Sequence, residues 1–191
     1  MAMRQSFFVL ILAFGICGQA ARADKDDLKS GPQVGQTLPG PFYSVVAHSA
    51  EASLAGKKND FVEWYGQEPV VMVFAREISK PLTHLVKTLD AEVAKTKAPK
   101  LRAVVVVLSD DEALQASLKD YGKKHALKHV DLAIMEPNGP ERYKISKEAD
   151  VTVVMYQKRK VEANHAFKKS ELDQKRVTEI VADLPKITSD K

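Results

Sequence analysis

The sequence predicts an α/β domain, in the order strand, helix, strand, helix, strand, and then strand, strand, helix. Three observations carry this prediction. Two apolar runs rich in β-branched residues, Val70–Ala75 (VVMVFA) and Leu101–Leu108 (LRAVVVVL), have the composition of strands buried on both faces. Between them Leu82, Leu85, Val86, Leu89 and Val93 recur at i, i+3, i+4, i+7 and i+11, one stripe of a 3.6-residue period. Near the end, Val151–Tyr156 and Val161–Ala166 are separated only by Gln157-Lys158-Arg159-Lys160, the spacing of a hairpin.

Each element has local reasons. Phe42–Ala47 (FYSVVA) reads as a short first strand, and Lys57-Lys58-Asn59-Asp60 as a turn. Trp64 and Tyr65, just before the first core strand, are expected to pack there. Ser79 and Pro81 stand where a cap and an early helical proline belong. Ser109-Asp110-Asp111-Glu112 supplies a cap and first-turn acids for the next helix, whose stripe is Leu114, Leu118 and Tyr121. Val130–Ile134 is a third core strand, and Pro137-Asn138-Gly139-Pro140 breaks the chain. A last helix is expected to begin at Ser170, bury Leu172, Val177, Ile180, Val181 and Leu184, and stop at Pro185.

At 191 residues, 45% hydrophobic and 28% charged, the chain can bury one real core. This composition excludes a disordered, collagen-like or many-pass membrane protein. Its amino terminus reads as an export signal. Arg4 precedes the apolar run Phe7–Gly18, too short to span a bilayer, and Ala21-Arg22-Ala23 is a small-x-small cleavage pattern. The expected organisation is a signal over residues 1–23, a flexible leader over 24–36 and a single domain over 37–187. Cleavage after Ala23 leaves 27 basic against 25 acidic residues, a balance that argues against a nucleic-acid partner. The protein is accordingly expected in the periplasm or outside the cell. The one cysteine, Cys17, lies inside the signal, so the mature chain has no thiol. The alternative is a lipoprotein acylated at Cys17, but Phe14-Gly15-Ile16 lacks the small residue wanted just before such a cysteine; only this reading places the protein on a membrane.

The order of elements resembles the thioredoxin fold over Gly35–Pro185, a three-layer arrangement with a central mixed sheet between helices. VGQTLPGPFYSVV and FVEWYGQEPVVMVFAR resemble the opening, and the approach to the active site, of the peroxiredoxin and redoxin branch. ERYKISKEADVTVVMYQKRKVEANHAF resembles its passage into the final hairpin. The resemblance implies a catalytic cysteine just after the strand Val70–Ala75, where a helix amino terminus favours a thiolate. The matching stretch is Arg76-Glu77-Ile78-Ser79-Lys80-Pro81, without a cysteine, and the hydroxyl of Ser79 forms neither a thiolate nor a reversible disulfide. Where the branch places a cis-proline, this chain has Val151. Both hallmarks are missing together, which argues for loss of the redox chemistry.

What the resemblance then implies is a non-catalytic binding or scaffolding module of the cell envelope. No metal or cofactor is expected, and the partner would be a protein or peptide. Residues at the old site are Arg76, Ser79, Lys80 and Val151. Arg76, Ser79 and Lys80 could hold a small anion at the helix amino terminus, but a vestigial loop capped by Ser79 is the favoured reading. The alternative by family descent is a thiol oxidoreductase or peroxidase.

Other constellations are weaker. His125 and His129 are spaced i, i+4, but Gly122 and the following strand argue against a shared helix face, and Lys123, Lys124 and Lys128 would repel a cation. Ser79, His84 and Asp90 have the composition of a hydrolytic triad without a suitable spacing. Lys158-Arg159-Lys160, with Lys168-Lys169, could touch an acidic polymer or membrane, though a charged hairpin tip is the simpler reading. His48 and His165 are assigned no role.

Overall fold

The computed structural model describes residues 28–96 and 100–189. The export signal, with Cys17, lies outside the described residues. A seven-stranded mixed sheet runs through the domain: β1 (Ser44–His48), β2 (Lys58–Asn59), β3 (Val70–Ala75), β4 (Arg102–Leu108), β5 (Val130–Met135), β6 (Val151–Gln157) and β7 (Lys160–Phe167). Their order is β2-β1-β5-β4-β3-β6-β7. The three core strands β3, β4 and β5 are parallel, and β6 enters antiparallel beside β3.

Period-two alternation divides β3 between two cores. Val71, Val73 and Ala75 pack with Leu82, Leu85, Val86 and Leu89 of α2 (Lys80–Lys95), Leu118 of α3 (Leu114–Lys124), and Val177 and Ile180 of α4 (Gln174–Ala182). Val70, Met72 and Phe74 face α1 (Phe61–Tyr65), Leu38, Phe42, Tyr143 and Tyr156. Phe42, Phe74 and Tyr143 meet there with ring centroids 5.0–5.9 Å apart. The α/β class, the mixed sheet and the layering are as the sequence predicts.

Several local expectations are corrected. The first strand is Ser44–His48, not Phe42–Ala47. Lys58 and Asn59, expected in a turn, pair with Val45 and Ser44, and the Asp60 carboxylate caps α1 by accepting from the Val62 and Glu63 amides. Tyr65 is buried as expected, whereas Trp64 is 49% exposed. Helix α3 starts only at Leu114; Asp111 instead accepts from Ala113 in the turn before it. Ser170 lies at φ 67, outside any helix, and Asp173 caps α4 by accepting from the Arg176 amide. Pro185 does not close the chain but opens a further turn, α5 (Pro185–Thr188), consistent with the preference of proline for a first helical position.

Part of the stretch read as a flexible leader is tied down. Ser30 Oγ lies 2.6 Å from Thr152 Oγ1, and Asn164 Nδ2 donates to the Ser30 and Pro32 carbonyls. The amides of Gly35 and Val161 bond to the carbonyls of Val161 and Gln36. The Gly31 amide donates to the Lys144 carbonyl and the Ser146 amide to Ser30 Oγ, so partners distant in sequence hold this segment. The hairpin turn itself needs two residues, Lys158 and Arg159, both at positive φ (51° and 63°), as a two-residue connection between twisted strands requires.

Candidate functional site

The site expected from the sequence is the loop between β3 and α2. The register places Ala75 opposite Val151, and the Arg76 amide donates to Asp150. The structure therefore brings Arg76 and Val151 together at the carboxyl end of β3, with Ser79 and Lys80 at the start of α2. Val151 is buried and Lys80 exposed.

The polar groups of this loop are largely committed to one another. The Arg76 guanidinium donates to three carbonyls, Ala149 at 2.9 Å, Pro137 at 2.8 Å and Ser146 at 3.1 Å. These are the donors an anion would have used. Ser79 Oγ accepts from the Leu82 amide, and Thr83 N donates to the Ser79 carbonyl. Pro81 has no N–H, which leaves little of the helix terminus for a ligand. Glu77 and Asp150 add negative charge. Burial raises the Asp150 carboxyl above its ordinary pKa, with Glu77 adding to the shift, while Lys169 and Arg76 oppose it. Lys169 pairs with Glu77 at 3.3 Å.

The geometry separates the other sequence candidates. Ser79 and Asp90 are 11 residues apart on one helix, about 16 Å along its axis. Asp90 is otherwise occupied: its Oδ1 accepts from the amides of Lys128, His129 and Val130. It clips α2 to the start of β5. Helix α3 ends at Lys124, so His125, whose ring meets that of Tyr121 at a tilt of 56°, and His129 share no helix face. The basic residues around the hairpin have acidic partners: Arg159 with Glu63 at 3.0 Å, Lys160 with Glu162 at 3.8 Å, Lys168 with Glu148 at 3.2 Å. His165 faces Asp183 at 3.0 Å.

What sequence reasoning missed lies at the other end of the parallel strands. There a recess of about 450 Å³ opens between the carboxyl end of α2 and the starts of β4 and β5, with Asp131 at its floor. A polar residue in the apolar run VDLAIM was the only signal for it.

No known family profile matches the chain, and no curated protein matches it in sequence. Solved structures do. A secreted disulfide oxidoreductase of Mycobacterium tuberculosis, homologous to E. coli DsbE, superposes with a TM-score of 0.52 at 15% identity, over 74% of this chain and 94% of that one. A cysteine-to-serine variant of peroxiredoxin 6 from Arenicola marina gives 0.56 at 10% identity, over 81% and 72%. The yeast mitochondrial 1-Cys peroxiredoxin gives 0.53 at 11%, over 82% and 75%. The fold is thioredoxin-like. At these identities the likeness concerns the fold alone. On this thioredoxin-like framework, the loop after β3 carries arginine, serine and lysine and no cysteine, as the sequence indicates.

Proposed function

We propose that this thioredoxin-like protein is an exported, non-catalytic binding or scaffolding module of the cell envelope. Its partner is a protein or extended peptide met at the loop after β3, beside Arg76, Ser79, Lys80 and Val151. The observation that carries this reading is the makeup of that loop. It has no thiol, its arginine is spent on backbone carbonyls and its serine on a helix cap. Such a loop holds its shape but has no group left to attack a disulfide or peroxide. Export rests on the charged, apolar, small-residue order of residues 1–23 and agrees with the secreted character of the mycobacterial structure above. No helix among the described residues is long and apolar enough to cross a membrane.

The alternative, a thiol oxidoreductase or peroxidase, is favoured by the structural neighbours and requires Cys17. Two measurements separate the readings. The exported protein is expected to have an intact mass matching Asp24–Lys191, and to show no reduction of insulin disulfides and no peroxide consumption above buffer. Turnover that disappears in Cys17→Ser would overturn the reading. For the binding role, a photo-crosslinker at Lys80 is expected to trap one defined envelope partner in cells, and the same probe at exposed Lys175 on α4 to trap none; equal trapping at both positions counts against it.

A further inference from the structure

The recess at the opposite end of the sheet has features the reading above does not use. Its floor is the Asp131 carboxyl, 9% exposed, on the face of β5 that meets α1. Tyr65, itself buried, donates its hydroxyl to Asp131 Oδ2 at 2.5 Å. Its walls are mixed: the Trp64 indole, Val93 and Leu101 are apolar, while Ser49, Thr96 and Arg102 are polar. We propose that this recess binds a small ligand carrying a protonated amine on an apolar body, with the ammonium group seated against Asp131.

The argument is one of charge. A buried carboxylate is costly unless a cation compensates it. The charged and titratable groups that face Asp131 are Arg102 from β4, His48 from β1 and Tyr65 from α1, with Ser49 as a further hydrogen-bonding neighbour. None compensates it in full. The Arg102 Nε donates to Glu68 Oε2 at 2.5 Å, and its guanidinium lies 5.6 Å from the Tyr65 ring centroid. His48 uses Nε2–H on the Leu127 carbonyl. Burial accordingly outweighs these groups and raises the Asp131 pKa. Lys100, Lys128 and His129 line the recess too, but they are exposed and belong to its mouth, together with the acid Glu51. A ligand ammonium would supply the missing cation, and the indole and aliphatic walls would cover its body. This inference is independent of the proposed role of the loop after β3, from which the recess is separated by the length of the parallel strands.

Trp64 is the single tryptophan of the chain, so its fluorescence reads the recess directly. The test titrates the full chain with three probes of one shape: cyclohexylmethylamine, cyclohexylmethanol and cyclohexanecarboxylate, with calorimetry as a second readout. The amine is expected to bind about tenfold or more tightly than the alcohol, the gain of one charge-assisted contact. Asp131→Asn is expected to remove that preference. Protons compete with the ammonium for Asp131, so amine affinity of the unsubstituted protein should rise with pH between about 4 and 8, where the amine stays charged. Equal binding of amine and alcohol, tighter binding of the carboxylate, no binding of any probe, or an amine affinity flat with pH each overturns the proposal. The comparison of amine with alcohol needs no variant, so it still decides the proposal if Asp131→Asn fails to fold.

Discussion

The two ends of the parallel strands solve opposite problems. At the carboxyl end of β3, where the family resemblance in the sequence placed the expected site, the polar groups are turned inward on the protein: Arg76 to three carbonyls, Ser79 to a helix amide, Glu77 to Lys169. At the amino end of β4 and β5 the Arg102 guanidinium is paired with Glu68, and the buried acid Asp131 is left without a full counter-charge. The first arrangement stabilises a loop; the second holds a cost that a ligand could relieve. A fold's familiar site and its chemically unsettled site need not coincide.

The contrast can be broken from either side. The largest effect is expected from Arg76→Ala, which strands three carbonyls of the segment before β6; about 3 kcal/mol should be lost in urea unfolding. A loss near zero would mean the clamp is not structural. Next comes Gly122→Ala, at the recess end. A Cβ there would meet the His48 ring at 2.4 Å, so the ring that helps offset Asp131 must move, at about 2 kcal/mol. Ser79→Ala removes a cap and should cost about 1 kcal/mol; a larger loss, or an altered partner affinity with unchanged stability, would show the hydroxyl doing more than capping. The smallest effect on stability belongs to Asp131→Asn. The folded protein binds the Asp131 proton more tightly than the unfolded chain does. Its contribution is thus most favourable below the ordinary carboxylate value of about 4 and declines as pH rises through the folded-state pKa. The asparagine variant should therefore gain relative stability at pH 7 and flatten the profile, read as unfolding free energy against pH.

How much of this was visible in the sequence depends on the range of the interaction. Strands β3 and β4, the α2 stripe, the Ser79 cap and the hairpin follow from neighbours within a turn or a pleat, and each is found. Helix α1 has five residues, too few to show a period, and β2 has two, too few to distinguish from a turn. Ser170 satisfied a capping pattern, but Asp173 reaches the amide of Arg176 and sets the boundary. The candidate site divides in the same way. The absence of a thiol was evident from the residues alone. The Arg76 clamp was not, because its acceptors lie 61 to 73 residues along the chain. Nor was the setting of Asp131, which needs Tyr65 from α1 and Arg102 from β4.

The place of β6 in the sheet bears on how the protein is made. Strand β3 is six residues without a charge, all buried, and its second edge is closed only by residues 151–156. A chain growing from its amino terminus has β3 ready some eighty residues before its partner emerges. Until then the centre of the sheet presents a bare apolar edge, the surface on which strands of separate chains add to one another. Fragments ending before Val151 should therefore precipitate, and unfinished chains should depend on chaperones until the hairpin is complete.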